Sequence, residues 1–190
     1  APTDTISDDP LPEVKQAVLA AAERGSFTEG LARIEQWIRG RSESVELGLG
    51  YGVKGRILQR MGNLDAALEA VAVAVYILGN LAVGTQGEHY PIVLNNLAGL
   101  HVEKQNYHRA HGLFEAAEAC WNRLCRNEEK HLGGLAGTQY NLGKMFQEMS
   151  DPRAGEWLNK ALSTSERAFG ADHPRVMKVR DALSTLGTQV

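Results

Sequence analysis

Histidine and cysteine are two of the residue types in this chain that could bind a metal ion or act as a nucleophile. His108 and His111 are three residues apart, a spacing that can place both side chains on one face of a helix. A zinc site needs further ligands, but Cys120 lies two to three helical turns away. Scattered surface histidines account for the pattern equally well, so we predict no metal site and no cofactor.

Catalytic motifs with a fixed sequence context are absent from the chain. We find no nucleophile elbow, phosphate-binding loop, dinucleotide fingerprint or zinc-protease motif. Serine and cysteine occur without a recognisable base beside them, and we therefore expect a binding protein, not an enzyme.

The cysteines, the uncharged segments and the net charge indicate where the protein is located and which partners it has. Cys120 and Cys125 are five residues apart on one predicted helix, which turns their side chains away from each other. Without a disulfide framework we expect a cytoplasmic protein, although the initial Ala1 is equally compatible with an exported chain or a fragment. The longest uncharged run, 70–87, is too interrupted to span a membrane. A net charge of −3 gives no reason to expect nucleic acid.

An internal repeat organises the chain. Four polar breaks each separate two helix-like runs, and each break ends in an anchor residue: Phe27, Leu64, Tyr107 and Pro152. The intervals between these anchors are 37, 43 and 45 residues. Two helices per unit at such a period indicate an α-solenoid.

Small residues mark where the two helices of a unit must cross closely. Gly55, Ala98 and Gly143 each precede a second small residue by 12 positions. These second small residues are Ala67, Ala110 and Gly155. We expect each pair to face each other, because only Gly or Ala lets antiparallel helices approach closely.

Two motifs resemble tetratricopeptide (TPR) repeats, in particular the longer units of kinesin light chains. Residues 94–98 (LNNLA), followed by Gln105-Asn106-Tyr107 and Ala110, resemble the core of those units, and residues 170–174 (GADHP) resemble their inter-repeat turn. The resemblance covers residues 13–188. It implies an all-α, right-handed superhelical α-solenoid of about four helix pairs with a C-terminal capping helix.

The predicted organisation is an acidic tail over residues 1–10 and a single TPR-like domain over residues 11–190. The helix pairs are expected at 12–24 and 28–40, 45–61 and 64–82, 90–104 and 107–127, and 132–149 and 152–168, with the capping helix at 174–187 and a loop at 83–90.

In this family the first helix of each unit lines a concave groove. Counting from Gly55, Ala98 and Gly143 gives the predicted groove side chains. They are Arg56, Gln59, Arg60, Asn95, Asn96, Tyr140, Asn141, Lys144 and Gln147. Amides can pair with the backbone of an extended peptide, and the three cations favour an acidic segment. The same residues could instead be a solvated surface.

Two functions remain open on the sequence. The first is an adaptor that binds a peptide segment of a partner protein in its groove. The second is a structural subunit that assembles with another copy or a fixed partner. It is suggested by the second helix of the second unit, where no charged residue follows Glu69 through Leu81. Val73, Tyr76 and Ile77 are the candidate interface there, unless neighbouring helices cover that side.

Overall fold

The computed structural model describes residue 16, residue 20 and residues 24–187. In that part of the chain the regular secondary structure is helical and no strand is formed. The acidic tail predicted for residues 1–10, and most of the helix predicted for residues 12–24, lie outside the described residues.

Contacts within the chain group its residues into two compact units, Ala1–Gln86 and Gly87–Val190. The first unit contains α1 (Phe27–Ile38), α2 (Val45–Arg60), α3 (Leu64–Asn80) and the one-turn α4 (Val83–Gln86). The second contains α5 (His89–Glu103), α6 (Tyr107–Cys125), a 3₁₀ turn (Glu129–His131), α7 (Leu132–Glu148), α8 (Arg153–Phe169) and α9 (Pro174–Gly187). The predicted single domain over residues 11–190 stays a prediction.

The helix predictions agree with these bounds to within two residues wherever the whole helix is described. The predicted loop at 83–90 is the exception. It contains α4, and α5 begins at its last two residues. Gln86 explains the difference, because its buried side chain donates to the carbonyl oxygens of Gly79 (3.3 Å) and Leu81 (3.0 Å) and so folds the segment onto the end of α3.

The turn inside each helix pair has the same backbone geometry. A residue with positive φ ends the first helix: Gly62 (80°), Gln105 (58°) and Ser150 (54°). The next N–H donates to a carbonyl five residues earlier, from Asn63 to Leu58, from Asn106 to His101 and from Asp151 to Phe146. This is the Schellman arrangement, which satisfies carbonyl groups that the helix end would leave unpaired.

The close crossing predicted for α5 and α6 is confirmed. Ala98 and Ala110 have no exposed surface and lie in one core cluster with Phe114. In the first unit, a Cβ added to Gly55 would come within 3.3 Å of the Ala67 carbonyl oxygen and 2.3 Å of a Val71 methyl. Both crossings therefore depend on a small residue.

The third predicted small-residue pair is wrong. A Cβ at Gly143 would lie 2.6 Å from Cγ of Leu158, whereas a Cβ at Gly155 would meet open space. The small residue of α8 that lies in the core cluster with Ala98 and Ala110 is Ala154, one position earlier. The shift follows from a tighter first turn: the Ala154 N–H donates to the carbonyl of Asp151, three residues earlier, whereas the N–H groups of Ala67 and Ala110 donate to carbonyls four residues earlier. Hydrogen bonds from the Arg153 side chain and backbone lower the pKa of Asp151 to about 2, so an ionised carboxylate holds this turn.

After Glu69, the exposed face of α3 is partly apolar and carries no charged residue, as the sequence suggested. Tyr76 is 64% exposed and Val73 is 36% exposed. Ile77 was wrongly placed in the candidate interface, because it is only 4% exposed and packs in the core. Ile77 follows the buried Ala70 and Ala74 at seven and three residues, so it lies on the core stripe of α3, and it points 100° away from Tyr76.

We expect Gln105→Gly to stabilise the protein by about 1 kcal/mol, because a side chain in the left-handed region costs roughly that much and glycine does not pay it. Thermal unfolding followed by circular dichroism measures the effect. Gln105→Ala is the control and should give no gain, since alanine also has a Cβ. Gly62→Ala should lower stability by about the same amount. A lower Tm for Gln105→Gly would contradict the role assigned to this turn.

Candidate functional site: a cavity in the second unit

A cavity of about 580 Å³ lies in the second unit and is bordered mainly by α5, α7 and α9. These are the first helices of successive repeats. Each presents residues at the same three positions, spaced i, i+3 and i+4, which share one face of a helix. The nine residues are Ile92, Asn95 and Asn96 of α5, Gly137, Tyr140 and Asn141 of α7, and Arg175, Lys178 and Val179 of α9. The cavity therefore forms because successive repeats present the same helix positions side by side.

Four of the predicted groove residues meet at this cavity. Asn95, Asn96, Tyr140 and Asn141 all line it, and each is half-buried. Nδ2 of Asn141 donates to Oδ1 of Asn95 at 3.1 Å, which joins α7 to α5. Each amide keeps further hydrogen-bonding capacity, since one amide offers two donors and two acceptor lone pairs. Burial raises the pKa of Tyr140, so its side chain stays a neutral hydroxyl.

Lys144 and Gln147 do not line the cavity. They lie one and two turns further along α7, where Nζ of Lys144 donates to Oε1 of Gln147 at 2.6 Å. Nε2 of Gln147 in turn donates to Oγ1 of Thr185 at 3.0 Å. These two hydrogen bonds connect α7 to α9. Lys144 and Gln147 therefore make contacts within the protein. Arg56, Gln59 and Arg60 belong to α2 in the first unit, where both arginines are exposed.

Glycines shape the α7 wall of the cavity. A Cβ at Gly133 would lie 2.8 Å from Cζ of Phe169, and one at Gly134 would lie 2.4 Å from Cζ2 of Trp121. Both aromatic rings therefore pack directly on the α7 backbone and border the cavity. Gly137 is different, because nothing lies within 4 Å of its hypothetical Cβ. Its missing side chain leaves open space in the cavity.

Charged residues stand at two sides of the cavity. Glu88, just before α5, lies 3.4 Å from Nδ1 of His131. Arg175 and Lys178 stand on α9 at the other side, over the rings of Phe169 and Tyr140, each at 5.0 Å from the ring centroid. α7 contacts both α5 and α9 and lies between them. The cavity therefore combines a central amide–aromatic surface with cations on its α9 side.

Sequence reasoning missed Arg175, Lys178, Gly137 and Ile92. The signal was present, because residues 91–93 (PIV) and 174–176 (PRV) begin α5 and α9 in the same way. That alignment places Arg175 at the position of Ile92 and Lys178 at the position of Asn95. The sequence prediction assigned α9 only a capping role, so its positions were not counted among the groove residues.

The thiols and histidines singled out in the sequence have other surroundings. Cys120 and Cys125 are free, and burial raises the pKa of each thiol. His111 packs edge-on against Phe146, with ring centroids 5.3 Å apart, and Nε2 lies 3.5 Å from Oε1 of Glu115. Among the described residues, no group of three or more His, Cys, Asp or Glu is placed to hold a metal ion.

Known structures share this arrangement of helices. BtubC (BKLC) from P. vanneervenii superposes with a TM-score of 0.82 at 18% identity, over 97% of this chain and 75% of that one. The fold is TPR-like. The nearly identical TPR-like repeats assigned to a kinesin light chain of Podosopora anserina give a TM-score of 0.74 at 17% identity, over 95% of this chain and 89% of that one.

A further TM-score of 0.56 is found for residues 1–338 of Acl4, an assembly chaperone of RpL4, at 15% identity over 94% of this chain and 70% of that one. These likenesses confirm the predicted all-α solenoid fold. No protein-family model matches the sequence, and neither does any curated protein sequence. Within the described residues, no helix is both long and apolar enough to cross a membrane.

The glycines of α7 generate a prediction about stability. Gly134→Ala should destabilise by roughly 1–3 kcal/mol, because the new methyl overlaps three atoms of the Trp121 ring. Gly137→Ala should stabilise by roughly 0.5–1 kcal/mol, since it removes the entropic cost of glycine in a helix and meets no neighbour. Urea unfolding measures both free energies. Equal effects of the two substitutions would show that the Trp121 contact does not decide the packing.

Proposed function

We propose that the protein is an interaction module whose second unit binds an extended peptide segment of a partner protein in the cavity. The observation that carries this proposal is the alignment of three successive first helices, whose matching positions line one open cavity. A volume of about 580 Å³ falls within the range of small-ligand sites. It is enough for a few side chains of an extended segment.

The chemistry of the cavity suits a peptide. Asn95, Asn96 and Asn141 offer both donors and acceptors, as the backbone of an extended chain requires. Ile92, which is 37% exposed, together with Trp121 and Phe169, provides apolar surface for a side chain. Gly137 lets the bound chain approach the α7 backbone. These groups hold a ligand without supplying a nucleophile and base, so we propose binding without catalysis.

The proposed function also bears on the partner of the protein and on its location. The partner is a protein or peptide, preferably acidic, and neither nucleic acid nor a membrane span is involved. The cytoplasmic location expected from the free cysteines stays a prediction. Acl4, a protein of similar fold, is described as an assembly chaperone of RpL4.

A second candidate function is self-association through α3. Val73 and Tyr76 are exposed on a helix that carries no charged residue after Glu69. Exposed apolar surface of this kind marks interaction sites. After Glu69 the surface carries no charge, so two copies can meet along this part of α3 without bringing like charges together.

Filling the cavity tests the first proposal. Twelve-residue peptides selected from a random display library on the intact protein are labelled with fluorescein, and their affinity is measured by fluorescence polarisation. Gly137→Trp should weaken binding at least tenfold, because the indole would occupy the open space above α7. Gly112→Trp is the matched control, since Gly112 on α6 is exposed and also has open space around it. It should bind like the wild type.

The peptide-binding proposal is wrong if selection yields no binding peptide, or if Gly137→Trp binds the selected peptides as tightly as the wild type. Equal losses in Gly137→Trp and Gly112→Trp would also contradict it, because the site would then lie elsewhere.

Self-association has a separate test. If α3 is the interface, Tyr76→Glu should convert a dimer into a monomer in sedimentation-velocity experiments while leaving Tm unchanged, because Tyr76 is exposed within each copy. Met177→Glu is the control, an exposed apolar residue of α9 that should leave the dimer intact. A wild-type protein that stays monomeric at high concentration removes this candidate.

A further inference from the structure

Arg175 and Lys178, the two cations of the cavity, differ from three neighbouring cations that form ion pairs. Arg180 pairs with Glu166 at 2.7 Å, Arg153 with Asp151 at 2.8 Å and Lys160 with Glu156 at 2.9 Å. In the described part of the chain, no carboxylate lies within ion-pair distance of Arg175 or Lys178. Both face aromatic rings instead.

The rings position the two cations at the cavity. The Arg175 guanidinium lies over Phe169 and the Lys178 ammonium lies over Tyr140, each 5.0 Å from the ring centroid. Cation–π contacts hold a charged group in place without neutralising it. Both charges remain available to an anion that enters the cavity.

The position of Arg175 in its helix also points to a ligand. Arg175 is the second residue of α9, whose first turn contains no acidic residue. The N-terminus of a helix carries partial positive charge, so a cation there is locally unfavourable. Local rules of this kind are typically broken at functional sites.

The opposite side of the cavity carries the opposite charge. Glu88 borders the cavity on the α5 side, with α7 between it and α9. An acidic group is therefore attracted to α9 and repelled from the α5 side. This asymmetry fixes where along the cavity an acidic group would bind.

We propose that Arg175 and Lys178 form the anion subsite of the cavity and bind a carboxylate of the peptide segment. This inference rests on the proposed function and replaces Arg56, Arg60 and Lys144 as the cations that recognise an acidic partner. The carboxylate belongs either to an Asp or Glu side chain or to the C-terminus of the segment.

A mutant cycle with the library-selected peptides tests the subsite. The double variant Arg175→Gln, Lys178→Gln should bind an acidic selected peptide at least tenfold more weakly than the wild type, and the wild-type affinity should fall with added salt. Replacing the acidic residues by Asn or Gln, one at a time, identifies a side-chain carboxylate. Amidation of the C-terminus identifies a terminal one. The peptide with that carboxylate neutralised should bind the wild type and the double variant equally.

Lys160→Gln is the matched control. Lys160 also lies over an aromatic ring, Trp157 at 4.2 Å, but it is on α8 and does not border the cavity. Its replacement should leave peptide affinity unchanged. The Tm of the double variant should not fall, because cations near the start of α9 oppose the helix dipole.

Several results overturn the inference. The double variant could keep full affinity for the acidic peptide, or it could lose affinity for acidic and neutralised peptides alike. A fall in Tm together with the loss of binding would indicate a structural role for the two residues. If Gly137→Trp abolishes binding in any of these cases, the peptide-binding proposal stands while the anion subsite is wrong. If Gly137→Trp has no effect, both fail.

Discussion

The close approach of paired helices is the constraint on which the rest of the structure depends. Ala98 and Ala110 are fully buried where α5 meets α6, and a side chain at Gly55 or Gly143 would overlap its neighbour. Interiors packed to this density do not accept extra atoms without strain. The small residues therefore set the crossing of each pair. In the second unit they leave equivalent faces of α5, α7 and α9 bordering one cavity.

Glycine in α7 is used in two physically different ways. Gly133 and Gly134 let Phe169 and Trp121 pack against the helix backbone, so the burial of two large rings offsets the weaker helix propensity. Gly137 has no such neighbour. Like Gly112 on α6, it has no neighbour within 4 Å of a hypothetical Cβ, so its conformational cost is not offset by packing within the described part of the chain. Arg175 is a second locally unfavourable residue at the same cavity, because it places a cation at the N-terminus of α9.

The predicted groove residues of α5 and α7 have two kinds of surroundings. Asn95, Asn96, Tyr140 and Asn141 border the cavity, whereas Lys144 and Gln147, one or two turns further along α7, connect to Thr185 of α9. Residues on one face of α7 therefore either border the cavity or form hydrogen bonds that connect to α9, depending on which part of the protein lies opposite them. Positional counting along a repeat cannot make this division, because it contains no information about the facing helix.

Local sequence determined the helices and turns of this protein. Their bounds follow from hydrophobic spacing and from break residues such as Gly62 and Asn106, which act through the backbone of their own neighbourhood. It also determined four cavity residues, because a periodic fold repeats the same helix face in each unit. Tertiary structure alone decided that Ile77 is buried and that Ala154 and not Gly155 packs in the core of its repeat. The reason is the same in each case. A rotation of 100° per residue separates a buried from an exposed position, and which of the two a residue occupies depends on helices distant in the sequence.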